Sequence, residues 1–424
     1  MPIVYLPAIF FGSCTLYSYM KHGMNIQVLM YGMFFITGIA SIMLDHYDLY
    51  EYNCVKRDPG VIAPIMYCFL IWLCISPFSI VKEYNIRNFQ IKYPKILDYV
   101  VYFYFTIFLI IAFVASTKIN DIVNNAALSE LRQMQYHNEN ESFYNHLSGI
   151  PRYICALTTF FLAGSYINIP ILFYNIYRGR KSLIFHIMTI LGSCCQLLTS
   201  LMQADRSQFL YWLLLFLFCL IFFWKILSRE SKRKIFLILI PIISLLVIYF
   251  LAVSISRWGE TQAGTEGGTI RYAGMNFFNF CNFFNACFES PCSLTELFPL
   301  TYKILGLPGY FEWCEVVERD LNMFIATFPS FVGLIASIST TWIAMLYCIL
   351  FHFIAKALLY RRNIRIVTFQ YFIKVWILAI VPLLGVFVFF YLAYGSSIAL
   401  IVWIIIGYKT KHKSILDIFK FKNI

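Results

Sequence analysis

Residues 207–227 read SQFLYWLLLFLFCLIFFWKIL. From Ser207 to Trp224 there is no charged side chain, and the run matches the roughly 20 residues that cross a hydrocarbon core. Arg206 stands immediately before it and Lys225 near its end. Outward from this stretch the pattern recurs along the whole chain. Eleven membrane helices are expected, near residues 3–20, 26–44, 60–81, 97–116, 152–177, 184–203, 207–227, 235–254, 322–355, 366–391 and 394–408. The composition agrees: 60% of the 424 residues are apolar and only 13% charged, too few charges to cover a water-soluble surface. Aromatic residues reach 19%, as expected where rings face acyl chains or anchor at headgroups. The fold class is therefore all-α, a polytopic integral membrane helical bundle of about 11 spans. It forms a single transmembrane domain over 1–424, without an internal repeat or an appended soluble domain. The segment Met1–Met20 lacks a positive leader and reads as the first span.

The net charge of +12 does not point to nucleic acid, because basic residues fall in short clusters between apolar runs. Those clusters set an orientation. Placing Arg178–Lys181, Lys225–Lys234, Lys356–Arg365 and the tail from Lys409 in the cytoplasm satisfies the positive-inside rule. The amino terminus is then outside and the carboxyl terminus inside, with Lys56-Arg57 running against the trend. Lys374, inside a span, reads as a snorkelling side chain. Two outer loops have any size. The smaller covers 117–151, with helical apolar spacing over Ile119–Tyr136. The large outer (periplasmic) loop covers 256–320 and is too long for a structureless connection.

Most of the 13 cysteines lie inside apolar runs and read as small core residues. No Cys/His spacing suits a metal, so neither a metal nor a cofactor is expected. Cys281, Cys287, Cys292 and Cys314 share the large loop and suit either disulfides or buried thiols.

The large loop opens on Ser256-Arg257-Trp258-Gly259-Glu260, passes through a Gly/Thr stretch (Gly264-Thr265-Glu266-Gly267-Gly268) read as flexible, and reaches Ile270-Arg271-Tyr272. A guanidinium holds two phosphate oxygens at once, so Arg257 and Arg271 suit a pyrophosphate at the membrane surface. They equally suit interfacial anchoring. Arg206, in a turn between two apolar runs, is costly near hydrocarbon unless Asp205 neutralises it or function requires it. From Asn276 to Phe288, Asn alternates with aromatic residues. That pattern suits sugar hydroxyls and ring faces, or a re-entrant or interfacial helix with Asn along one side. Glu312, Glu315, Glu318 and Asp320 lie at helical spacing and suit a general base or a solvated face.

Together these features resemble the bacterial O-antigen and capsular repeat-unit polymerases of the Wzy type. Many spans, one small and one large outer loop, and short terminal spans match over nearly the whole chain. Arg257 followed by ten residues and Gly268 fits the family's arginine-x10-glycine loop pattern, and Arg206 resembles its helix-end arginine. A second arginine-x10-glycine element is missing. The large loop also lacks the histidine of the related ligases; His137 and His146 lie in the smaller loop. The resemblance implies a glycosyltransferase of the bacterial inner membrane whose active site faces the periplasm. Donor and acceptor would be undecaprenyl-diphosphate-linked oligosaccharides, and a chain-length regulator is the partner such enzymes would use. Arg206, Arg257 and Arg271 are the expected catalytic residues, with Trp258, Gly268, Tyr272 and Asn276 binding substrate.

Two other classes compete. A polyprenyl-phosphate-sugar-dependent membrane glycosyltransferase would use an acidic pair in the first outer loop, where Asp45-His46-Tyr47-Asp48 sits. A lipid-linked glycan flippase would show paired halves and broken helices near the midplane. Neither mark is apparent in the sequence.

Overall fold

The computed structural model describes residues 3–51, 54–89, 94–124, 147–179, 181–202, 206–258, 264–287, 329–361, 365–392 and 394–410. These residues are overwhelmingly helical. The first hairpin pairs α1 (Leu6–His22) with α2 (Ile26–His46). Gly23, at φ +70, ends α1 in a conformation that L side chains rarely adopt. The Asn25 side chain accepts from Val28 N at 3.1 Å and so caps α2. The buried carboxylate of Glu83 accepts from Ile26 N at 2.7 Å, taking a second of the donors that a helix start leaves open.

The chain continues through α3 (Ile62–Ile75), α4 (Ile96–Asn124), α5 (Gly149–Thr159), α6 (Asn168–Arg178), α7 (Leu183–Ser193) and α8 (Cys195–Met202). Then follow α9 (Ser207–Phe223), α10 (Arg229–Trp258), α11 (Gly264–Ala286), α12 (Ser330–Ile338), α13 (Thr341–Leu359), α14 (Phe369–Leu384) and α15 (Tyr394–Lys409). The only sheet among the described residues is a parallel pair, β1 (Asn88–Phe89) with β2 (Ile366–Val367). It ties together the connections that precede α4 and α14. Beneath it Phe89 stacks on Phe223 at 4.9 Å, with Phe372 edge-on to both rings.

Among the described residues, five helices are long and apolar enough to cross a membrane: Ile3–His22, Ile26–His46, Ile62–Asn85, Ile96–Thr117 and Thr341–Leu359. Two bent pairs raise the number to seven. Ser207–Phe223, Phe369–Leu384 and Gly395–Lys409 are apolar but shorter. The chain is thus a helical membrane protein, with five to seven candidate spans among the described residues where eleven are expected over the whole sequence. One difference has a local cause. The single span expected over 322–355 contains a break after α12, and α13 starts afresh where Thr340 accepts from Ile343 N at 3.3 Å. The apolar run 235–254 lies within the continuous 30-residue α10.

The expected spans 152–177 and 184–203 are each broken. Gly149–Thr159 and Ala163–Arg178 meet at 52°, and α7 and α8 meet at 45°. This corrects the expectation that no broken helices occur. The two breaks pack on each other and on Tyr104 of α4. A Cβ on Gly192 would stand 2.9 Å from Asn168 Nδ2 and 3.2 Å from Phe105 N, so glycine permits the approach. The carbonyl that the break frees at Gly164 accepts from Trp403 Nε1 at 3.0 Å. Asn168, fully buried, finds no partner for either end of its amide among the described residues, and neither does the Tyr104 hydroxyl.

The Gly264–Gly268 stretch, expected to be a flexible loop, is the start of a 23-residue helix, α11. Glycine weakens a helix in isolation, but tertiary burial outweighs that cost here. Phe277, Phe280 and Cys281 are wholly buried, and the rings of Phe277 and Phe280 pack on Tyr67 at 5.5 and 5.1 Å. The Asn/aromatic stretch is helical from Asn276 to Ala286.

Candidate functional site

Three chain segments meet at one end of the bundle: the connection leaving α2, the start of α9 and the turn leaving α14. Helix α11 binds all three. Its packing on α2 is backbone against backbone, because Gly274 has no side chain to hold the helices apart. Ser41 Oγ donates to Gly274 O at 2.7 Å across that contact. Asn276 Nδ2 donates to Val386 O at 3.1 Å, beyond the end of α14. Asn282 Nδ2 donates to Val55 O at 3.0 Å and Asn285 Nδ2 to Pro59 O at 3.3 Å, both in the connection after α2. Each amide thus takes up a carbonyl that irregular backbone leaves without a helical donor.

This anchoring holds Arg271 and Tyr272 beside the start of α9. Arg271 is 4% exposed and Arg206 7% exposed, both unusual for arginine in an apolar chain. Arg271 Nη1 pairs with Glu51 Oε1. The carboxylate is 39% exposed, so the pair runs from the protein interior to the surface. The guanidinium carbon of Arg206 lies 5.5 Å from the centre of the Tyr272 ring, an attraction of about 0.5–2 kcal/mol depending on desolvation. Gln208, the second residue of α9, accepts from the Tyr166 hydroxyl at 2.8 Å. Arg271 Nε and Asn276 Oδ1 are buried and have no partner among the described residues.

The structure therefore brings Arg206 and Tyr272 into contact, with Arg271 adjacent in α11 and Asn276 about a turn further on. Gly268 lies buried in the first turns of the same helix. Arg257 and Trp258 are the last two residues of α10, and their side chains lie outside the described residues. Asp205, His137, His146, Glu312, Glu315, Glu318, Asp320, Cys292 and Cys314 also fall outside them. Cys281 and Cys287 are free, buried thiols. Burial pushes the Cys287 thiol up to about 12, and that of Cys54 likewise to about 12.

Glu51 was not singled out from the sequence, although it is the carboxylate that organises the cluster. It sits among Tyr47, Tyr50 and Tyr52, which read as an interfacial aromatic segment and mask it. The acidic pair of the competing reading is engaged separately. Asp45 accepts from the Tyr50 hydroxyl at 2.8 Å, and Asp48 pairs with Lys56 at 2.7 Å on the surface. No group of three His, Cys, Asp or Glu side chains suited to a metal occurs among the described residues.

What the arrangement offers chemically is fixed positive charge at the edge of an apolar body. One guanidinium, with little access to water, is balanced by the Glu51 carboxylate, and the other lies beside an aromatic face. No protein-family profile, curated protein or solved structure matches the chain.

Proposed function

We propose that this protein joins undecaprenyl-diphosphate-linked oligosaccharide repeat units into a surface polysaccharide such as O-antigen or capsule. The reaction is glycosyl transfer at the outer, periplasmic face of a bacterial inner membrane. The observation that supports this reading is the pairing of Arg206 with Tyr272 beside Arg271. These residues come from distant parts of the sequence, yet both arginines are buried at one end of the bundle. In the proposed step a sugar hydroxyl oxygen of the acceptor attacks the anomeric carbon of the donor. The bond from that carbon to the diphosphate oxygen breaks, and the glycan is left on the acceptor lipid. Arg206 and Arg271 take up the negative charge that develops on the leaving diphosphate, and Arg257 adds to it from the end of α10. The hydroxyl proton passes to a nearby carboxylate or histidine. Glu51 positions the Arg271 guanidinium. Tyr272 faces sugar or phosphate with Trp258 completing the binding surface, while Asn276 and Gly268, both buried, position the helix that carries Arg271 and Tyr272.

The test is the surface-glycan ladder of a deletion strain complemented with wild type, Arg206→Ala or Arg271→Ala at matched protein levels. Loss of the ladder with a surviving single-repeat band is expected for the deletion and for both variants. An unchanged ladder in the deletion strain would sink the reading.

A second reading has one observation in its favour. The two broken helices, which meet around Asn168 and Gly192, are a feature of transporters, so a flippase for a lipid-linked glycan is the competitor. A flippase deletion traps unflipped repeats on the inner leaflet, whereas a polymerase deletion exposes single repeats outside.

A further inference from the structure

At the opposite end of α14 a cleft of about 500 Å³ runs between this helix and α15. It falls in the ~300–1,000 Å³ range of small-molecule sites. Its lining follows helical spacing on both walls. Gln370, Ile373, Lys374, Ile377 and Leu378 form a single stripe of α14, and Leu400, Trp403, Ile404, Gly407 and Tyr408 form the facing stripe of α15. The two helices run antiparallel, so the start of α14 lies beside the end of α15. The cleft is consequently graded. Gln370, Lys374 and Tyr408 lie toward the end that also carries Arg361, Arg365 and Lys409. Ile377, Leu378, Leu400 and Ile404 line the deeper part, which is purely apolar.

Among the described residues that line the cleft, Lys374 is the one charged side chain, and it makes no ion pair with another described residue. It is exposed on an otherwise apolar helix face, where an ammonium without a counterion is costly. Ile404 and Tyr408 are 55% and 66% exposed, so the cleft opens sideways, toward the surroundings of the bundle. Gly407 faces Ile373 across the cleft: a Cβ there would meet Ile373 Cγ2 at 3.4 Å, an ordinary van der Waals contact.

We infer that this cleft binds an anionic phospholipid, with its phosphate on Lys374 and an acyl chain along Ile377, Leu378, Leu400 and Ile404. A polar, positively charged mouth above an apolar floor is complementary to a phosphate headgroup above a hydrocarbon tail. The Tyr408 hydroxyl and the Gln370 amide stand at the mouth as further donors to the phosphate oxygens. The site lies away from the buried arginine cluster, and the inference is independent of the proposed reaction.

The full-length protein, purified in a mild detergent and titrated with phosphatidylglycerol or phosphatidylcholine, provides the test, with bound lipid counted by native mass spectrometry. About fivefold tighter retention of phosphatidylglycerol is expected, the ratio that about 1 kcal/mol per basic residue near an anionic surface corresponds to. Lys374→Gln should bring the ratio near one while leaving the elution profile unchanged, and Lys374→Arg should keep it. Leu400→Trp, which fills the apolar part, should lower retention of both lipids. A preference unchanged in Lys374→Gln would overturn the assignment, as would full retention in Leu400→Trp. Displacement of bound phosphatidylglycerol by millimolar inorganic phosphate would also overturn it, because the site would then be a free-anion site. Arg365→Gln, outside the cleft, serves as the charge control and should retain the wild-type ratio.

Discussion

Replacing Gly274 by Ala adds one methyl group at the contact that fixes α11 on α2, and its consequence can be worked from distances. The new Cβ would stand 2.5 Å from Ala40 O, 2.6 Å from Ala40 C and 2.8 Å from Ser41 N. All three are backbone atoms of α2, so no side chain can swing aside. Ordinary contact begins near 3.4 Å, so the helices must part by about 0.9 Å. The Ser41 Oγ to Gly274 O bond, now 2.7 Å, then stretches to about 3.6 Å and ceases to be a hydrogen bond. Overpacking costs about 1–3 kcal/mol. A lost hydrogen bond adds about 0.5–1.5 kcal/mol. The expected destabilisation is therefore roughly 2–4 kcal/mol. Arg271 sits less than a turn before Gly274, and a misplacement of about 1 Å in a reacting site costs on the order of 100-fold in rate. Gly32→Ala is the control: nothing lies within 4 Å of its Cβ, and alanine gains up to about 1 kcal/mol over glycine in a helix. Thermal unfolding of detergent-purified protein, followed by size-exclusion chromatography, compares the two. If Gly274→Ala unfolds at or above the temperature of Gly32→Ala, the close approach of α11 to α2 is wrong.

Glu51→Gln removes the charge opposite Arg271 and should cost about 1–3 kcal/mol in unfolding assays, with Glu51→Asp intermediate; no loss would mean the guanidinium is satisfied elsewhere. Arg206→Lys keeps the charge but removes the guanidinium that lies 5.5 Å from the Tyr272 ring centre, so the glycan ladder should shorten at normal protein level, and Tyr272→Leu should shorten it similarly. An unaltered ladder in both would deny the pair any role. Cys54 and Cys287, both pushed up to about 12 by burial, should resist alkylation in the folded protein up to at least pH 9 and react on denaturation. Their folded values exceed the unfolded value of about 8.5, so their contribution to stability is complete below that pH and is lost as the pH climbs toward 12. Rapid labelling of either native thiol at pH 8 would contradict the burial.

The parts of the fold legible in the sequence were those where hydrophobicity alone decides. Apolar runs such as 341–355, free of Lys, Arg, Asp and Glu, become long helices because lipid leaves their backbone no other partner. Breaks were less visible. Ser339-Thr340 carries the chemistry of a helix start, yet it is embedded in a long apolar run and does not interrupt the hydropathy. Gly164 and Gly192 are needed only because a neighbouring helix approaches, and no local pattern reports that neighbour. Helix α11 was the least legible, since its glycines and asparagines argue against a helix locally and only its burial among Tyr67, Ser41 and Val386 reverses the balance. In the candidate site, Arg206 is legible because arginine is costly beside an apolar run, and Arg271 because with Arg257 it brackets a Gly/Thr stretch. Glu51 is not, because its value depends on a partner far along the chain that only the fold supplies.

The asparagines of α11 have a consequence for how this sequence can change over time. Asn276, Asn282 and Asn285 hold main-chain oxygens of Val386, Val55 and Pro59, not their side chains. Any residue at those three partner positions presents the same oxygen, so the partners are free to drift while the asparagines are not. A reader searching related chains for matched, co-varying pairs would find the amides fixed with nothing changing in step across from them. The docking of α11 would leave a one-sided trace, a helix with invariant polar residues facing segments of almost arbitrary composition.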